Sequence, residues 1–191
     1  MNKLNRDDVL LLMALPAESK NIFEKSGIKV YYTGIGKINA AFTATEILCK
    51  HNYKHVLNLG TAGSHKFNIN EIIECNEFVQ RDMDLSPLGF PLGQTPKDSL
   101  SGKIIVNPIS DFPQGICGTG DVFEMGLPKL TCDLVDMEAY AIAKVCSKMG
   151  VKFNSIKFIT DNSNKNAHVE WKSNLKNAGE ALLSAFLNVT K

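Results

Sequence analysis

Residues 136–161 read DMEAYAIAKVCSKMGVKFNSIKFITD, and the fold class turns on them. From Asp136 to Met149 apolar residues recur at helical spacing among good helix formers, and Gly150 stands just past the end, where helices commonly stop. Phe153–Thr160 (FNSIKFIT) is a short apolar run that reads as a buried strand. The same alternation continues toward the amino terminus. Val9–Ala14 is apolar throughout and too short for a helix, so it reads as a strand buried on both faces. Glu18–Lys25 reads as a short helix ended by Gly27, Lys29–Thr33 as a strand, and Asn39–Lys50 (NAAFTATEILCK) as a helix. His55–Leu59 is another buried strand, closed by Gly60, and Ile72–Val79 a further one. Arg81–Ser110 is rich in Pro, Gly and Ser, which predicts loops with one short strand at Lys103–Val106. A terminal helix covers Glu170–Val189.

Strands alternating with helices predict an α/β fold, with helices on both faces of a largely parallel sheet. In such sheets ligands bind beyond the carboxyl ends of the strands. The polar residues standing there are Glu18, Gly34–Lys37, Gly60–Ser64 and Asp161.

The 191 residues predict one domain spanning 1–191, large enough to bury about 70% of its unfolded surface without disulfide or metal. At 44% hydrophobic and 21% charged, the chain is neither disordered nor fibrous. A net charge of +1 argues against nucleic acid and membrane surfaces as partners. The five cysteines are odd in number and contain no C-x-x-C pair, which suits reduced thiols in the cytoplasm. The apolar run Val9–Leu15 is too short for a signal peptide, and no stretch approaches the roughly 20 apolar residues of a membrane span. No metal or other cofactor is expected. His51 and His55 lack a third ligand, and D82-M-D84 beside Pro87 and Gly89 reads as a turn.

Taken singly, the motifs leave alternatives open. G34-I-G36-K37-I-N39 is a tight strand–helix turn in which Asn39 replaces the third glycine of the dinucleotide fingerprint. G60-T-A-G63-S64 is either a tight turn or a place where backbone approaches a ligand. In C117-G-T-G-D-V-F123 the aromatic either stacks on a flat ring or fills the core. Glu138, opening the predicted helix, either answers the helix dipole or accepts two hydroxyls of a sugar. Asp161 either caps a turn or serves as a general acid in a crevice.

In chain order, however, A14-L-P-A-E18, G34-I-G-K-I-N-A-A41, N58-L-G-T-A-G63, G120-D-V-F123, D136-M-E-A-Y-A-I-A-K-V-C146 and I159-T-D161 resemble the nucleoside phosphorylase/nucleosidase superfamily. The nearest likeness is to its 5′-methylthioadenosine/S-adenosylhomocysteine nucleosidase group. The resemblance runs from about Val9 to the terminal helix. It implies a three-layer α/β/α sandwich around a twisted mixed, mainly parallel sheet, and hydrolysis of the N-glycosidic bond of a purine nucleoside. It implies that Glu18 activates water and Asp161 protonates purine N7. Glu138 would bind the ribose hydroxyls, with Met137 under the sugar. Phe123 would stack on the purine while the backbone at Glu124 reads the base edge. Thr61 and Gly63 would line sugar and base, and Thr160 would supply the hydroxyl before the acid. A homodimer is implied too. Three features depart from the group: a helix-length segment is missing between Pro96 and Gly118, where S99-LSGKIIVNPISDFPQ-G115 stands; the loop R81-DMDLSPLGFPLGQT-P96 is unusual; and Glu124 replaces an apolar residue.

Protonating N7 makes the departing purine neutral, so Asp161 must hold its proton while Glu18 and Glu138 are expected ionised. The rival readings are a phosphorylase, an idle nucleoside-binding module of the same fold, and a flavodoxin-like or Rossmann redox protein. A phosphorylase wants clustered arginines, and the chain has only Arg6 and Arg81.

Overall fold

The computed structural model describes residues 3–98 and 102–191. Residues 99–101, part of the stretch in place of the missing segment, lie outside the described residues. The strands are β1 (Val9–Met13), β2 (Tyr31–Tyr32), β3 (His55–Ser64), β4 (Ile72–Gln80), β5 (Lys103–Ile105), β6 (Gln114–Thr119), β7 (Leu134–Asp136) and β8 (Lys152–Asp161). The helices are α1 (Pro16–Ser19), α2 (Ile22–Lys25), α3 (Lys37–Lys50), α4 (Ala139–Met149) and α5 (Ala167–Val189). None of the helices described is long and apolar enough to cross a membrane.

β1 shows why the strands read as continuous apolar runs. Leu10 and Leu12 point into a core shared with α3 and α4, whereas Val9, Leu11 and Met13 point into a core shared with Phe23 of α2 and with α5. Alternate side chains face opposite sides of a sheet, so a strand covered on both sides is apolar at every position. Three layers result, with α3 and α4 on one face and α2 and α5 on the other.

The sheet is mixed and mainly parallel. β1 pairs in parallel with β2 and β3, β3 with β8, β4 with β6, and β6 with β7. β7 runs antiparallel to β3, and β4 antiparallel to β5 and β8. The ring β3–β8–β4–β6–β7 closes on itself, because one edge of β3 takes β1 over residues 55–58 and β7 over residues 63–64.

Several local expectations are corrected. β3 does not stop at Gly60: it runs ten residues through Thr61, Ala62 and Gly63 to Ser64, because β8 offers backbone partners along its whole length. The predicted helix over Glu18–Lys25 is two short helices, broken where Lys20 and Asn21 take left-handed conformations. Helix α4 begins at Ala139, since Asp136 ends β7 and Glu138 is the residue before the first turn. β6 and β7 were not anticipated. Both are short, and Gly115 and Gly118 interrupt the apolar pattern of β6. Within the predicted loop region, Asn107–Ser110 is held to the sheet by Glu74, which accepts from Ile109 N (2.8 Å) and Ser110 N (2.9 Å).

Candidate active site

The carboxyl ends of β1, β3, β7 and β8 open on one cleft. Its walls include Glu18, Ile35, Thr61, Gly63, Phe123, Met137, Glu138, Thr160, Asp161 and Trp171. Of the nine residues singled out from sequence, eight meet there. Glu124 does not: its carboxylate pairs with Arg81 Nη1 at 2.8 Å. Phe123 is 42% exposed, so the core-packing alternative for it falls.

Glu18 leaves β1 through Pro16, and the short α1 turns its side chain back over the strand end. Oε2 accepts from Ala14 N (3.1 Å) and Leu15 N (3.0 Å), and Oε1 from Thr61 N (2.8 Å) and Thr61 Oγ1 (3.0 Å). Thr61 thus serves Glu18 directly, and Trp171 Nε1 of α5 donates to the same hydroxyl at 3.4 Å.

Asp161 is the last residue of β8. Its Oδ1 accepts from Ser163 N (3.0 Å) and its Oδ2 from Thr160 Oγ1 (3.0 Å). Burial is the largest influence on it and outweighs those donors, so its pKa lies above the usual Asp value. Gly63 is required for space: a Cβ there would stand 2.4 Å from Asp161 Oδ1.

Glu138 is buried, and its Oε1 accepts from Gly36 N at 2.9 Å. The positive φ of Gly36 (96°) belongs to the turn that presents this N–H, which gives the GIGK motif a role at the site. Burial, followed by the nearby charge of Asp136, pushes the Glu138 carboxyl up to about 8. Burial and Asp136 thus work against the ionised form that was expected of Glu138.

Ile35 and Trp171 of the cleft wall were not singled out from sequence, nor was Lys157. Lys157 is 1% exposed in the middle of β8, and its Nζ lies 2.9 Å from Asp136 Oδ2. A Cβ on Gly60 would stand 3.1 Å from Glu18 Oε1 and 3.4 Å from Lys157 Nζ, so the absence of a side chain there leaves room for both. Asp136 and other acidic neighbours raise the Lys157 pKa despite burial, so it is a cation, and Lys157 in turn helps hold Asp136 below the usual value. The signal was available: a lysine inside an otherwise apolar strand needs a buried partner.

A family model described as the phosphorylase superfamily matches residues 22–190. The chain belongs to the phosphorylase superfamily. Membership bears out the resemblance drawn from the motif order. Among superfamily relatives, the 5′-methylthioadenosine/S-adenosylhomocysteine nucleosidase of Marinomonas sp. (strain MWYL1) is 27% identical over 182 residues, covering 83% of this chain and 78% of the relative. The aminodeoxyfutalosine nucleosidase of Helicobacter pylori (strain J99) is 29% identical over 168 residues, 78% of this chain and 73% of the relative. The same three-layer fold is found in the Helicobacter pylori 5′-methylthioadenosine/S-adenosylhomocysteine nucleosidase bound to butyl-thio-DADMe-Immucillin-A. That structure aligns with a TM-score of 0.84 at 23% identity over 94% of this chain and 97% of the other.

Proposed function

We propose that this phosphorylase-superfamily protein is a purine nucleosidase that hydrolyses the N-glycosidic bond of a 5′-substituted nucleoside such as 5′-methylthioadenosine or S-adenosylhomocysteine. The observation that carries this reading is the convergence of three buried carboxylates, each in a different environment, on one cleft. Asp161, whose burial raises its pKa above the usual Asp value, is the acid for purine N7. Glu18, held by four donors, is the base that takes a proton from attacking water. Glu138 has acceptor capacity beyond its single bond to Gly36 N, which suits the two ribose hydroxyls. Phe123 lies on the cleft wall to stack on the base, and Leu15, Ile35, Met137 and Trp171 supply an apolar lining that suits a thioether.

Water rather than phosphate is favoured as nucleophile by charge. Arg6 donates to Thr190 Oγ1, and Arg81 is committed to Glu124 and the carbonyls of Gly118 and Val122. Lys157, the buried cation of β8, is already paired with Asp136 and so is not free to take up an added anion. The test is product analysis with and without phosphate on wild type and Glu18→Gln. Free reducing sugar without phosphate, lost in Glu18→Gln, is expected; formation of a sugar 1-phosphate would favour phosphorolysis instead.

The proposed assembly is a homodimer acting in the cytoplasm. Ile38 (80% exposed) and Phe42 (67%) give α3 an apolar outer face, and Ile35, Ile38 and Met137 line one continuous depression running to the cleft mouth. Covering that face with a second copy would bury it and enclose the cleft. Light scattering should show a dimer for wild type and a shift to monomer for Ile38→Glu; a monomeric wild type would refute the assembly.

A further inference from the structure

Phe123, the proposed stacking residue, stands on a stretch with no regular structure of its own. Residues 121–132, between β6 and β7, form neither helix nor strand. They take part in no backbone–backbone hydrogen bond among the described residues. Side chains from elsewhere hold the stretch instead, and two of them are neighbours at the end of β4. Arg81 N donates to Thr119 O at 2.9 Å, which carries the pairing of β4 with β6 one residue further and anchors Arg81 to the sheet. Its guanidinium then spans the aromatic residue. Nη2 donates to Val122 O on one side and Nη1 to Glu124 Oε2 on the other, at 2.8 Å, while Nε donates to Gly118 O at 3.2 Å. Asp82 accepts from Asp121 N at 2.8 Å, and Lys37 N donates to Asp121 Oδ1 at 2.8 Å.

The glycines of C117-G-T-G-D121 make room for the arginine. A Cβ on Gly120 would stand 2.9 Å from Arg81 Cζ, and one on Gly118 3.4 Å from its Cδ. The Arg81 side chain is 5% exposed. A buried planar fork with all three nitrogens engaged has little freedom to turn, so it fixes the residues on both sides of the ring. Glu124, which replaces an apolar residue of the group the chain resembles, completes that fork.

We infer that Arg81 is a positioning residue for base binding: by gripping Val122 and Glu124 it keeps the Phe123 ring at the cleft wall in the pose that stacks on the purine. Phe123 lines the cleft and Arg81 does not, so Arg81 acts through the loop rather than on the ligand. This inference rests on the purine nucleosidase reading and names what holds its base subsite.

The test is a double-mutant cycle, read by calorimetric binding of free adenine to wild type, Phe123→Leu, Arg81→Lys and the combined variant. Lysine keeps the charge but lacks the fork that bridges the two sides of the ring. Phe123→Leu is expected to lower adenine affinity about tenfold, and Arg81→Lys by about the same factor. Adding Phe123→Leu to Arg81→Lys should then cost less than about twofold more, because the platform is already lost. A merely structural arginine would lower stability to urea yet leave the full Phe123 effect in place. That result, or an adenine affinity unmoved by either single substitution, would overturn the inference. Should Arg81→Lys fail to fold, the cycle is run with Arg81→Met/Glu124→Leu, which replaces the buried pair by apolar side chains, and the same outcomes decide. Failure of adenine to bind wild type would instead overturn the nucleosidase reading, and this inference with it.

Discussion

Glu138 and Glu74 are both buried glutamates, set toward opposite ends of the strands, and they are held in opposite ways. Glu74, with no exposure, accepts from Ile109 N, Ser110 N, Ser110 Oγ (2.5 Å) and Asn154 Nδ2 (3.1 Å). Asn154 in turn meets His55 Nε2 at 2.9 Å. Glu138 has one donor, Gly36 N, and a like charge nearby in Asp136. Burial alone therefore does not make a carboxylate functional. Four donors spend the acceptor capacity of Glu74 and turn it into a fastener for the Asn107–Ser110 segment, whereas Glu138 keeps lone pairs for a ligand at the cost of a raised pKa. Glu18 also accepts from four donors, but unlike Glu74 it lines the cleft.

The largest effect should come from the cleft end. Asp161→Asn is expected to lower turnover by about 10² to 10⁴, roughly 3–5 kcal/mol of barrier, while base binding persists. Steady-state kinetics beside calorimetry check this, and near-normal turnover would remove Asp161 from the role of acid. At the other end, Glu74→Gln replaces one acceptor oxygen with an amide that faces existing donors. A destabilisation of about 1–3 kcal/mol in urea unfolding is expected, with kcat of the folded protein unchanged. Loss of kcat without loss of stability would break the contrast between the two glutamates.

The smallest expected effect sharpens the account of Glu138. A 2′-deoxy substrate leaves that carboxylate one donor short, which should cost roughly 1–3 kcal/mol in kcat/KM. The ionised form is the better acceptor of two hydroxyls, and the group titrates at about 8 in the unliganded protein. The ribose preference should thus grow as pH rises from 6 to 9. An equal preference at both pH values, or none at all, would leave Glu138 without a role toward the sugar.

Residue types along the chain carried more of this than might be thought for weak single motifs. Val9–Met13 and Phe153–Thr160 were legible as strands because both their faces are covered, which leaves no polar position to blur the run. Glu18, Glu138 and Asp161 were legible because they stand at strand ends in a recurring order. The pairing of Glu124 with Arg81, 43 residues earlier, was not legible, because nothing local shows that Arg81 reaches its side chain. Gly60–Ser64 was left open between a tight turn and a backbone approach to a ligand, because small residues suit both; β8 pairs with it as strand.

By itself, the sequence determined the layer architecture, the superfamily and the set of acidic side chains near the cleft, since each rests on local pattern and residue chemistry. Only the tertiary structure decided what each carboxylate meets. Glu18, Glu74, Glu138 and Asp161 share one chemistry, and their surroundings are supplied by distant segments: Thr61 donates to Glu18, Ile109 and Ser110 to Glu74, and Gly36 to Glu138. Desolvation and hydrogen bonding act through space, so their balance exists only once the chain has closed around each group.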